Sequence, residues 1–421
     1  MNRATSILND LIGRVADSGR GLMKSAPQDD IFDICEALLS GKGEATGLAQ
    51  ARVIFDRYAK LSVEKKHLFF STLRDRFGVD QAKVEAAYTA DQSSLRRLHA
   101  ASEPRSQELI RRLNRVPGGT LKLVSMRRDL LAFMEKDAEL KPLDDDFRHL
   151  FSSWFNRGFL ELRSIDWNTS AAVLEKIIQY EAVHEISGWS DLRRRVAAPD
   201  RRLYAFFHPA LLDDPLIFVE VALTHSIPGN IDAILASERE MLAPDQALTA
   251  VFYSISNCQD GLRGISFGNF LIKQVVEELR RDFAKLTTFV TLSPVPGLRR
   301  WALAQIAQDA LPARLVDIVA RAESGETPDG LAELTAHYML VARAPRGGAT
   351  DPVARFHLGN GARLEQIHPG ADGSERGQKA SWGVMVNYLY DLATIERNHE
   401  AYSTADEIIA APPVRRLVKT R

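Results

Sequence analysis

The stretch 251–298, VFYSISNCQDGLRGISFGNFLIKQVVEELRRDFAKLTTFVTLSPVPGL, limits what this chain can fold into more than any other. It opens with an apolar, β-favouring run at 251–255 and passes through a polar loop with Gly261, Gly264 and Gly268. The spacing then predicts a helix from about 269 to 283 and a second strand at 287–292. Unpaired backbone N–H groups in the first turn of such a helix, with the positive end of its dipole, make a seat for a phosphate or pyrophosphate. The second strand ends in Ser293-Pro294-Val295-Pro296-Gly297, where two prolines fix φ and deny the backbone a helix. The Ser293 hydroxyl is thereby presented at a defined place.

Taken alone, the glycine loop reads either as a structural turn or as a phosphate seat. Its spacing, Gly261-x-x-Gly264-x-x-x-Gly268, is not the GxGxxG dinucleotide form. Arg263-Gly264-Ile265-Ser266-Phe267-Gly268, followed by Asn269, resembles the Gln/Arg-x-x-Gly-x-Gly/Ala loop of the GNAT acyltransferases, whose amides bind the pyrophosphate of coenzyme A. Ser266 stands where that pattern has its first glycine.

With 421 residues the chain exceeds one small core and points to two domains. The 54 basic and 55 acidic side chains nearly balance, which argues against a duplex nucleic-acid binder. Cys35 and Cys258 are far apart and lack metal-ligand spacing, so neither a disulfide framework nor a zinc site is expected, and a reducing, cytoplasmic compartment is. No run of about 18 apolar residues marks a membrane span. The N-terminal residues lack a secretory apolar core, Asp10 and Asp17 count against a transit peptide, and the leucine and isoleucine spacing fits an amphipathic helix. The C-terminal Val-Lys-Thr-Arg is not a peroxisomal address.

Helical periodicity runs almost unbroken from residue 6 to about 154, on faces such as Ile31, Ile34, Leu38 and Leu39 or Leu68, Phe69, Leu73 and Phe77. Further helices are expected at 80–90, 104–115, 120–137 and 143–154. Residues 1–154 therefore read as an all-α bundle for support and oligomerisation. Charge clusters there, Arg111-Arg112 and Asp144-Asp145-Asp146, read as solvated faces or helix ends. Residues 155–421 read as a mixed α/β domain: strand-like residues after Gly158, helices at 170–181 and 191–195, strands at 204–207 and 216–222, and a helix near 229–237 precede the central stretch. A helical insertion spans about 300–345, residues 352–362 read as a short strand closing in a Gly-Asn-Gly turn, and 381–392 completes the sheet or packs on it.

Several separated motifs in order carry a resemblance to the malonyl-CoA decarboxylase family. They are Tyr253-Ser254-Ile255-Ser256, Gly261-Leu262-Arg263-Gly264, Gly268-Asn269-Phe270-Leu271-Ile272-Lys273, Leu292-Ser293-Pro294-Val295-Pro296-Gly297, Phe356-His357-Leu358-x-Asn360-Gly361-Ala362 and Asn387-Tyr388-x-Tyr390. The resemblance implies an α+β multidomain chain, a helical N-terminal bundle followed by a GNAT-like catalytic domain. It implies conversion of malonyl-CoA to acetyl-CoA and CO2 without a metal or prosthetic group, coenzyme A entering only as part of the substrate. Ser293 and His357 match the family's catalytic serine and histidine, and Arg263, Gly264, Ile265, Ser266, Phe267, Gly268 and Asn269 match its malonyl-CoA-binding loop. Ser293 is expected to hold the malonyl carboxylate or thioester while His357 orients the group and delivers a proton, a task suited to a pKa near neutrality. A homo-oligomer, dimer or tetramer, is expected through the helical domain.

Without those motifs, Ser293 is a turn residue and His357 a hydrogen-bonded strand histidine. Tyr388 and Tyr390 are read as core packing or as pocket lining. Glu220, polar inside IFVEVAL, is either a site residue or outward-facing, and His184, His208, His225 and His368 are read as structural. Two rival functions remain: an N-acyltransferase that passes the acyl group to an amine, and a non-catalytic acyl-CoA sensor.

Overall fold

The structure is a computed structural model and describes residues 30–41, 43–89, 95–265, 267, 271–345 and 347–419. The amphipathic helix expected at the N-terminus lies outside the described residues. The chain divides into two compact units: Met1–Glu161, Phe207–Leu216 and Gln259–Phe267 form one, and Leu162–Phe206, Ile217–Cys258 and Gly268–Arg421 the other.

The first unit is helical: Ile31–Ser40, Glu44–Ala59, Val63–Phe77, Gln81–Thr89, Leu95–Ser102, Arg105–Leu113, Gly119–Met134 and Lys141–Trp154. Their apolar faces meet in a core that includes Leu38, Ile54, Phe69, Phe70, Leu73, Leu113, Leu123, Leu130, Phe147 and Phe151, all buried. Local signals place the ends: the Ser62 hydroxyl accepts from the Lys65 amide at the start of Val63–Phe77, and Pro142 occupies the first turn of Lys141–Trp154. The acidic triplet lies at a helix start, as one of its two readings has it, but only Asp145 is solvated. Asp144 and Asp146 are buried, Asp144 pairing with Arg127 Nε at 2.8 Å and Asp146 accepting from Ser106 and Gln107. Arg127 also donates through Nη1 to the Gly261 carbonyl at 2.7 Å, so this buried guanidinium fastens the start of the glycine loop. Burying such a charge is tolerated because both its partners are hydrogen-bonded to it.

The second unit is built on an eight-stranded mixed sheet. Its strands are β1 (Glu161–Ile165), β2 (Arg201–Phe207), β3 (Pro215–Thr224), β4 (Thr249–Asn257), β5 (Thr288–Thr291), β6 (Ser293–Pro294), β7 (Arg363–His368) and β8 (Met385–Leu389). The order is β1-β2-β3-β4-β5-β8-β6, with β7 also paired to β8. β3 and β4 are antiparallel, and a register shift between Glu220 and Val221 leaves Tyr253 as the extra residue on β4. β4 and β5, joined through the helix Leu271–Asp282, are parallel from Thr249↔Thr288 to Phe252↔Thr291. Beyond that point they part: β4 runs on to Asn257, while the chain after β5 turns to pair Ser293 with Val386. This mixed sheet, in which two parallel strands part, is the mixed α/β domain expected of residues 155–421.

Strand alternation sorts the side chains. Val251, Tyr253, Val290, Leu292 and Met385 pack on one face with Ile231 and Ile234. Phe252 and Thr291 point to the other face, where Phe252 meets Tyr390 with ring centroids 6.3 Å apart. The helices Leu298–Ala307, Ala313–Glu323 and Leu331–Leu340 fill the expected insertion.

Residues 352–362 are not a strand. Pro352–Gly359 is an α-helix whose N-cap, Asp351, accepts from the Val353 and Ala354 amides at 2.9 and 3.1 Å, with proline in its first turn. An Asp-Pro pair is a helix-start signal, and it outweighs the apolar alternation that suggests β structure. The strand in this region comes after the turn, as β7. Segment 381–392 does complete the sheet, with β8 pairing β5 and β6 along one edge and β7 along the other.

Candidate active site

Ser293 begins β6, held by its pairing to Val386 and followed by the two prolines. His357 sits in the last turn of Pro352–Gly359, and both side chains are buried. Although 64 positions apart, they meet: Ser293 Oγ lies 3.3 Å from His357 Nε2. The Ser293 hydroxyl donates to Thr291 Oγ1 at 2.8 Å, and that oxygen also accepts from the Tyr388 amide at 3.1 Å. With the serine proton turned to Thr291, the contact with Nε2 is a hydrogen bond only if the ring carries its proton there. Nδ1 then accepts from the Tyr390 hydroxyl, 2.7 Å away. The network thus assigns the Nε2–H tautomer to the neutral ring.

The ring is sandwiched by aromatic surface: Tyr388 stacks on it at 4.6 Å between centroids and Phe356 meets it edge-on at 5.0 Å. Desolvation pushes the His357 pKa down to about 3, so the free site holds neutral imidazole at neutral pH, not a ring poised near neutrality. The same burial raises Tyr388 and Tyr390, keeping both phenols protonated. Tyr388 Oη is buried without a hydrogen-bond partner among the described residues.

The expected coenzyme loop divides. Arg263 and Gly264 are exposed, Ile265 is buried and Phe267 half-buried, all in the first unit, whereas Ser266, Gly268 and Asn269 lie outside the described residues. Ser293, His357, Tyr388 and Tyr390 belong to the second unit. Glu220 is not outward-facing. It is wholly buried and pairs with Arg195 at 3.3 Å, and burial pushes its pKa up to about 8 against the pull of that guanidinium. His208 bonds the Trp154 carbonyl, His368 bonds Asn387, His184 offers its carbonyl to Arg195, and His225 is exposed.

Two residues of the site escape sequence reasoning. Thr291 looks like one more β-branched strand residue, and only its position two before Ser293, on the same face, hints at contact. Asp351 carried a visible signal, the Asp-Pro helix start.

A family model for the malonyl-CoA decarboxylase C-terminal domain matches residues 158–421, and one for the N-terminal domain matches 77–155. The mitochondrial malonyl-CoA decarboxylase of Anser anser anser is 36% identical over 348 residues, covering 74% of this chain and 69% of the goose protein. Among solved structures, malonyl-CoA decarboxylase from Agrobacterium vitis is 51% identical with a TM-score of 0.87, covering 93% of this chain and 100% of that one. The Rhodopseudomonas palustris enzyme is 48% identical, also with a TM-score of 0.87, covering 92% and 98%. Matched in this way along both its helical and its α/β parts, the chain belongs to the malonyl-CoA decarboxylase family.

Proposed function

We propose that this carboxy-lyase decarboxylates malonyl-CoA through Ser293, His357 and Tyr390. The observation that carries the reading is the 3.3 Å approach of Ser293 Oγ to His357 Nε2 inside a buried aromatic site. In the reaction the bond between the carboxylate and the α-carbon breaks and CO2 leaves. The electron pair passes into the thioester carbonyl as an enolate, and the α-carbon then takes up a proton. The barrier therefore depends on holding the charge that develops on the thioester oxygen. The Ser293 hydroxyl, turning its proton from Thr291 to that oxygen when substrate binds, contributes about 3 to 4 kcal/mol there.

His357 delivers the proton. Neutral in the free site, it gains an anionic neighbour when the malonyl carboxylate binds, and an opposite charge favours the protonated ring. The Tyr390 hydroxyl, donor to neutral Nδ1, turns to accept from Nδ1–H once the ring is charged. After transfer to the α-carbon the ring is neutral again, so one solvent proton is consumed per turnover. Apolar surroundings also favour departure of the carboxylate as neutral CO2.

In this reading the backbone amides of 263–269 seat the coenzyme A diphosphate, and Tyr388 lines the pocket. The chain works in a reducing compartment, read here as the cytoplasm, and the two buried free cysteines fit a reducing compartment. No described helix is long and apolar enough to cross a membrane. It self-associates as a dimer or tetramer through 1–154, a reading supported by exposed Val63, Leu68, Tyr88 and Leu95 and tested by its mass in solution. Purified protein incubated with malonyl-CoA alone tests the function. Acetyl-CoA and CO2 formed without an acceptor bear it out. Product only when an amine is added means acyl transfer, and binding without turnover means a sensor.

A further inference from the structure

The serine loop and the histidine helix arrive from different parts of the chain, and one buried carboxylate joins them. Asp351 is 1% exposed. Its Oδ1 caps Pro352–Gly359 by accepting from the Val353 and Ala354 amides. Its Oδ2 accepts from the Gly297 amide and from the Tyr338 hydroxyl, each at 3.3 Å. Gly297 closes the Ser293-Pro294-Val295-Pro296-Gly297 run, and Tyr338 lies on Leu331–Leu340 in the helical insertion.

A cap needs one acceptor oxygen, which a serine or asparagine supplies equally well. The second oxygen is the informative one, because it reaches the loop that follows the Ser293 hydroxyl. Gly297 shows independently that the approach is tight: a Cβ there would lie 2.2 Å from the Tyr338 hydroxyl oxygen and 3.4 Å from Asp351 Oδ2. Glycine is thus what lets the loop amide reach the carboxylate. Tyr338 is steadied in turn by Trp301, with ring centroids 4.9 Å apart.

We propose that Asp351 is a positioning residue for the decarboxylation, setting the separation of Ser293 and His357 through its two oxygens, and that the helical insertion serves the site by holding Asp351 through Tyr338. The proposal rests on the Ser293–His357 reading. A displacement of about 1 Å between reacting groups is enough to cost on the order of 100-fold in rate.

Asp351→Asn in the full chain keeps the Oδ1 cap and the side-chain shape. It turns the Gly297-facing acceptor into a donor, so amide opposes amide. Expected is a fall in kcat of about 10-fold or more with KM within about threefold of wild type, and no further fall when the change is added to His357→Asn. A fall in both backgrounds, or wild-type kcat in a folded Asp351→Asn, overturns the proposal. If Asp351→Asn does not fold, Asp351→Ser, which keeps a cap and drops the second oxygen, is read the same way; failure of both to fold assigns Asp351 to stability alone and overturns the proposal. Wild-type turnover in His357→Asn by itself defeats the underlying reading instead, so the two failures are told apart.

Discussion

The Tyr390 hydroxyl lies 2.7 Å from Nδ1 of His357, on the side of the ring opposite Ser293. It is the polar partner that a fully buried imidazole needs on that edge, and it can serve as donor or acceptor as the ring changes charge. Tyr390→Phe removes the oxygen and leaves the ring. A kcat lowered about 10-fold with an unchanged KM is expected from steady-state kinetics. A raised KM with unchanged kcat would assign Tyr390 to substrate binding.

Burial of His357 has a consequence for stability. The unfolded chain takes up a proton at this residue near its ordinary value of 6.5, whereas the folded chain does so only near 3. Between those values the unfolded state binds more protons, so this residue's contribution is intact above pH 6.5 and is lost progressively as pH falls toward 3. Urea unfolding of wild type and His357→Asn across pH 4 to 8 measures it. Wild type is expected to lose up to about 1.4 kcal/mol per pH unit more than the variant below pH 6. Parallel curves would show that the ring protonates freely in the fold.

The glycine loop is fastened from within its own unit. A Cβ at Gly261 would lie 1.9 Å from the Val124 carbonyl oxygen, and the Gly261 carbonyl is already held by Arg127. Gly261→Ala must therefore shift the backbone that leads into Arg263. A KM for malonyl-CoA raised about 10-fold, with a smaller change in kcat and a lowered Tm, is expected. Unchanged KM in a folded variant would separate this loop from coenzyme binding.

Much of this was legible in residues. Helical faces such as Phe69-Leu73-Phe77, the strands around Val251 and Phe289, and the stiff Ser-Pro-x-Pro-Gly turn announce themselves by periodicity and by proline, whereas Leu68, expected on the same face, is exposed. What stayed hidden depends on partners distant in sequence. Nothing local distinguishes Thr291 from a packing threonine, and Asp144 looks like a surface acid until Arg127 is found beside it. Apolar alternation suggests a strand at His357, but the Asp351-Pro352 cap starts a helix there, and packing desolvates the ring so that its pKa falls far below neutrality. Tyr390 reads from sequence as core or as site; it is buried, and its hydroxyl bonds His357 Nδ1.

The most direct measurement is a double-mutant cycle on Ser293→Ala and His357→Asn, following CO2 release from malonyl-CoA with no acceptor present. If the two side chains work as one unit, each single change lowers kcat by about 100-fold or more, and the double variant is no slower than the slower single one. Losses that multiply in the double variant, or near wild-type turnover in His357→Asn, would contradict a shared role.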